Sequence, residues 1–115
     1  MLRFFPVWLG VLLLGSACAS PLSQAISDYE AGRTTESLRE LRAWSARAKM
    51  AAPPDAARYA LYRGLSHLTL GDARAAQSYL LPLKHHLLRE PRLLSSEDRA
   101  RLVTALASMG HYPGD

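Results

Sequence analysis

Three glycines, Gly32, Gly71 and Gly110, follow one another at an interval of thirty-nine residues. Each sits in a short loop signal: Ala31-Gly32-Arg33, Leu70-Gly71-Asp72 and Met109-Gly110-His111. Glycine just past a helical stretch takes up the left-handed backbone that stops a helix, since it has no Cβ to clash there. The residues between are rich in Ala, Leu and Arg and show no strand-like alternation. A fixed interval near forty in such a chain marks an array of helical hairpins, each too small to bury its apolar face alone. The expected fold is all-α: antiparallel helical hairpins, about five helices in total.

Local signals place those helices. Pro21 after Ser20 suits the first turn of a helix ending at Gly32. Thr34 or Thr35 is expected to cap a second helix to about Lys49, with Leu38, Leu41, Trp44 and Ala48 on one stripe. Ala51-Ala52-Pro53-Pro54 reads as a linker. Asp55 then caps a third helix through Leu70, which carries Tyr59, Tyr62, Leu65 and Leu68. Asp72 caps the fourth, with Ala75, Ala76, Tyr79, Leu80 and Leu83 at its apolar positions. Pro82 falls inside that pattern and should kink or stop the helix near Leu81. A second linker covers about 88–94, and Ser95-Ser96-Glu97-Asp98 opens the fifth helix with an acidic first turn that suits the helix dipole. That helix ends at Gly110, and the tail from His111 to Asp115 reads as loose.

The amino-terminal segment has a different character. It begins Met1-Leu2-Arg3, runs through an apolar stretch from Phe4 to Leu14, and reaches Leu14-Gly15-Ser16-Ala17-Cys18. The apolar run falls well short of the roughly twenty residues a spanning helix needs. A cationic start, a short apolar core and small residues before a cut describe an export signal. Cys18 is the single cysteine, so no disulfide can form within the chain. The order resembles a bacterial lipoprotein signal peptide with its lipobox, although Gly15 stands where that family usually has Leu. The resemblance implies that residues 1–17 are removed, that the Cys18 sulfur receives a diacylglycerol, and that the new amino terminus is acylated, with palmitate the expected chain. One acyl chain binds a membrane only marginally, at about 0.8 kcal/mol per buried methylene, whereas two or more anchor it stably. By the same resemblance Ala19, in place of an acidic residue, implies the outer membrane, facing the periplasm. A competing A-x-A cut at Ala17-Cys18-Ala19 would instead release a soluble chain beginning at Ser20.

Residues 18–115 are enough for one small domain. The formal net charge of +4 would suit nucleic acid, yet an exported chain meets little of it. The fourteen basic residues are almost all Arg, form no long run and are interspersed with ten acidic ones. No nucleic-acid partner is expected.

Within the domain, the stretch from Tyr62 to Leu80 resembles a tetratricopeptide repeat. In that family a small residue sits midway along the first helix, as Gly64 does. A glycine makes the turn, as Gly71 does, an alanine packs the helix crossing, as Ala76 does, and a large apolar residue follows four later, as Leu80 does. His67 occupies the family's aromatic position, and the interval of thirty-nine exceeds the usual thirty-four. The unit around Gly32 keeps the turn but has Ser37 in place of alanine, and the third unit stops at its turn. The resemblance implies a TPR-like domain, residues 18–115, that binds a protein or peptide.

Chemistry-bearing patterns are sparse. Adjacent His85 and His86 point to different helix faces, His111 lies in the tail, and no HExxH frame occurs, so neither a metal site nor a cofactor is expected. No serine lies in a GxSxG turn and no glycine loop could cradle phosphate, so an enzyme is not expected either. Tyr59, Tyr62, Tyr79 and Trp44 are spaced as helix core, with a peptide groove as the alternative. Tyr59, His67, Leu102 and Leu106 are the candidate partner-binding residues; Leu102, Val103 and Leu106 should either cap the second hairpin or pack on another protein. The cluster Lys84, His85, His86, Arg89 and Arg92 could meet an acidic partner or anionic headgroups. The expected function is a non-catalytic, membrane-tethered interaction or assembly module of the bacterial envelope, its partner an envelope protein or peptide. The alternative is a structural or soluble secreted helical protein, and a homo-oligomer is left open.

Overall fold

A computed structural model describes residues 20–111. Cys18, the leader and the tail from Tyr112 lie outside them. The described chain is all-α, with helices α1 (Pro21–Glu30), α2 (Thr34–Ala43), α3 (Ser45–Ala48), α4 (Pro53–Thr69), α5 (Ala73–Arg89) and α6 (Ser96–Ser108), plus a 3₁₀ turn at Pro91–Leu93. α1 and α2 form one hairpin, α4 and α5 a second, and α6 packs on α4 and α5. α4 is the hub and contacts every other helix among the described residues.

The thirty-nine-residue interval is structural. Gly32, Gly71 and Gly110 have φ of 85°, 86° and 86°. Each cap closes with the same two bonds: the glycine N–H donates to the carbonyl three residues back, and the next N–H to the carbonyl five back. The latter are Arg33 to Asp28, Asp72 to His67 and His111 to Leu106, at 2.8–2.9 Å. This satisfies carbonyls that a helix end would otherwise leave unpaired.

The same interval sets the packing of the two hairpins. Leu22 and Leu61, Ala25 and Gly64, Ile26 and Leu65, Ser37 and Ala76, Leu41 and Leu80 are related by it, and all ten are buried. Each unit therefore buries a small residue at the same place on its first helix and another at the same place on its second. In the second unit the approach is so close that a Cβ on Gly64 would lie 2.4 Å from Leu80 Cδ2. In the first unit Ser37 does what Ala76 cannot: its buried hydroxyl donates to the Ala25 carbonyl at 2.7 Å.

Several local expectations give way to geometry. Neither Thr34 nor Thr35 caps α2; the cap is Arg33, whose backbone N–H and side chain are both engaged with Asp28. The second helical stretch breaks at Trp44, then resumes as the single turn α3. Pro53 and Pro54 begin α4 instead of forming a linker, because the first helical turn needs no N–H donors from them, so the cap is Ala52 and Asp55 falls inside the first turn instead of capping it. Pro82 does not end α5, which continues to Arg89. Its ring and the Ser78 carbonyl it cannot serve both lie on an exposed stretch, where water can hydrate that carbonyl, while Leu80 and Leu83 hold both sides in the core. The following connection is correspondingly shorter and is pinned by buried Leu94. Ser20, Asp72 and Ser95 cap α1, α5 and α6 by accepting from the backbone N–H three residues on.

Candidate functional site

The first helix of each unit, α1, α4 and α6, contributes to one open groove of about 950 Å³. Its lining includes Tyr29, Leu68, Thr69, Ala100, Thr104 and Ser108, a mixture of apolar surface and hydroxyls. Tyr29 is presented by the last turn of α1 and meets the Tyr62 ring edge-on, centroids 5.6 Å apart; its hydroxyl lies 3.4 Å from Thr69 Oγ1.

Arg101 holds the groove wall. Its Nη2 donates to Glu30 of α1 at 2.9 Å and to Glu97 of α6 at 3.2 Å, while Nη1 donates to the Tyr62 hydroxyl of α4. The Tyr62 hydroxyl in turn donates to Asp98 at 2.7 Å. Burial, then the Asp98 carboxylate, raise the Tyr62 phenol well above its ordinary range, so it stays protonated at any physiological pH. The Glu30 bond raises the Arg101 pKa further. Sequence reasoning passed over Arg101. Two signals could have found it: it lies four residues after Glu97, and one thirty-nine-residue interval after Tyr62.

On the opposite side of α4, aromatic rings form a connected layer. Trp44 lies 5.7 Å from Tyr59, Tyr59 lies 6.4 Å from Tyr79, and His67 stacks on Tyr79 at 5.7 Å with planes 18° apart. The Arg63 guanidinium sits 4.8 Å from the Tyr79 centroid and bonds the Tyr59 hydroxyl. Burial lowers the His67 pKa, and the positive charges of Arg63 and Arg42 lower it further, so the ring is neutral at pH 7.

The four residues expected to face a partner are turned inward: Tyr59, His67, Leu102 and Leu106 are 7, 6, 3 and 5 % exposed. They do not share one surface. Tyr59 and His67 belong to the aromatic layer, while Leu102 and Leu106 fasten α6 to the core. Val103, between them in sequence, faces outward. Of the expected basic cluster, Lys84 borders a cleft between α5 and α6, whereas His86 lines a depression on the α4 side.

A carboxylate cluster also escaped the sequence reading. Asp28, Glu36 and Glu40 bring their oxygens within 4.8 Å of one another across the first hairpin. Arg33 supplies the balancing charge, donating from Nε and Nη2 to Asp28 Oδ1 at 3.0 and 2.7 Å. Burial and the neighbouring Asp28 push Glu40 up to about 7. The hydrogen bond from Glu40, then the Arg33 pair, hold Asp28 below its usual range.

Comparison with known protein families, with curated proteins and with solved structures finds no match. Among the described residues, no helix is long and apolar enough to cross a membrane.

Proposed function

We propose that this chain is an exported, lipid-tethered and non-catalytic interaction module of the bacterial cell envelope, with a partner polypeptide seated in the groove between α1, α4 and α6. The observation that carries the reading is that groove: about 950 Å³, open to solvent, and lined by the repeating first helices of the units. The hydroxyls of Thr69, Thr104 and Ser108 lie beside the apolar Leu68 and Ala100, the mixture a peptide's backbone and side chains require. The lipobox-like sequence before Cys18 and the resemblance of residues 62–80 to a tetratricopeptide repeat point the same way.

The tether in this reading is short. Ser20 already caps α1, so only Ala19 separates an acylated Cys18 from the folded domain. One extended residue spans roughly 3.5 Å, which sets the start of α1 close to the bilayer surface.

The test is crosslinking in membranes followed by affinity purification through a carboxy-terminal tag, on the native protein, Cys18→Ala and Thr104→Arg. Thr104 is exposed in the groove, so arginine there blocks it without entering the core. The expected result is a discrete envelope partner captured by the native form, reduced by Cys18→Ala and lost with Thr104→Arg, whose circular dichroism stays native. An identical set from all three proteins would overturn the reading in favour of a structural or freely secreted protein.

A further inference from the structure

We propose that the separate cleft between α5 and α6 docks an acidic amphipathic helix of a partner protein, anchored by a large apolar side chain. Its floor and walls are Leu87, Leu88, Leu102, Val103 and Leu106. Leu88 and Val103 are 70 and 45 % exposed, the combination of buried floor and bare wall that an inserted side chain would cover. The cleft holds about 190 Å³, below the roughly 300–1,000 Å³ of a small-molecule site and suited to side chains from one face of a helix.

Charge selects the occupant. Among the described residues, every charged or titratable group on the rim is basic in type: Lys84 from α5, Arg99 from α6 and His111 just beyond it. Among the described residues Arg99 makes no ion pair. Arg92 continues the basic edge beside Arg99, with Glu90 the one acid in that neighbouring depression. A helix with carboxylates flanking its apolar stripe meets this rim with opposite charge. A membrane is the poorer fit, because much of the apolar surface is recessed, with Leu102 and Leu106 buried below the cations. A second copy is poorer too: among the described residues exposed Glu30, Glu36, Asp55 and Glu97 are paired with arginines and Asp72 caps α5, which leaves only Glu90, at the edge of the cleft itself. The cleft shares no lining residue with the groove of the proposed function and stands independently of it.

The test uses the full chain and a fluorescein-labelled peptide of about 15 residues, long enough to form a helix, with leucines at helical spacing and glutamates elsewhere. A counterpart with lysines in place of the glutamates is the control. In anisotropy titrations the acidic peptide is expected to bind roughly tenfold or more tightly than the lysine peptide. Arg99→Glu and Val103→Glu, both at exposed positions, should each weaken it roughly tenfold with helix content intact, and Arg99→Glu should improve binding of the lysine peptide. Thr104→Arg should leave it unchanged, which separates this cleft from the other groove. Equal affinity for the two peptides, or no effect of Arg99→Glu, would overturn the proposal. So would binding to phosphatidylglycerol vesicles without binding to the peptide, or a dimer in sedimentation that Val103→Glu dissolves.

Discussion

Two buried serines show how one hydroxyl can help or hinder. Ser37 Oγ donates to the Ala25 carbonyl, whereas Ser66 Oγ has no partner among the described residues although it is equally buried. Ser37→Ala should therefore destabilise by about 0.5–1.5 kcal/mol, the net worth of a buried hydrogen bond. Ser66→Ala removes an unsatisfied group and should be neutral or stabilising by up to about 1 kcal/mol. Urea unfolding of both variants gives the two signs. Gly64 is fixed by contact, not by backbone, since the Leu80 side chain fills the space its Cβ would need and is itself fully buried. Gly64→Ala should cost about 1–3 kcal/mol through overpacking, seen as a lowered urea midpoint; a neutral result would mean that the hairpin crossing can widen.

At the level of elements, most sequence signals succeeded where the deciding force was local, although Arg33 and Ala52 cap α2 and α4 in place of the expected Thr34 or Thr35 and Asp55. The three glycine caps and the Asp72 and Ser95 caps depend on a few consecutive residues, and these were legible. Continuity of α5 was not, because the packing of Leu80 and Leu83 on either side of Pro82 outweighs one missing bond. Restoring that bond with Pro82→Ala should stabilise the domain by about 1–3 kcal/mol, read from thermal unfolding. The inward turn of Leu102 and Leu106 was half legible: the apolar spacing was plain, but the choice between own core and foreign surface depends on where α4 and α5 lie. Leu106→Ala should cost about 2–5 kcal/mol as a buried large-to-small change. Unchanged stability would detach α6 from the core. The groove itself was illegible, since Tyr29, Leu68 and Thr104 are brought together only by the stacking of units far apart in sequence.

For the whole molecule, the carboxylates of the first hairpin tie stability to pH. Glu40 titrates at about 7 in the folded chain against an ordinary 4.5, so the folded state holds a proton that the unfolded state releases. Its contribution is present below the ordinary value and is lost as pH rises through about 7. His67, whose pKa is lowered, acts oppositely: its charging below the ordinary 6.5 opposes folding. The two dependences overlap and mask each other in the native profile. Replacing Glu40 with Gln leaves a neutral group beside Asp28 at every pH, so the native protein should lose stability relative to Glu40→Gln between about pH 5 and pH 8. Parallel stability profiles would show that Asp28 and Glu40 do not share a proton.

The Arg101 guanidinium holds Glu30 and Glu97 at the groove wall. A guest carboxylate that takes an Nη2 hydrogen must displace one of these, so the tally of ion pairs is the same before and after. Exchange of that kind adds little to tightness, and it rewards only a guest whose geometry matches the carboxylate it evicts. In this groove Arg101 would act as a filter between candidate guests more than as a source of grip.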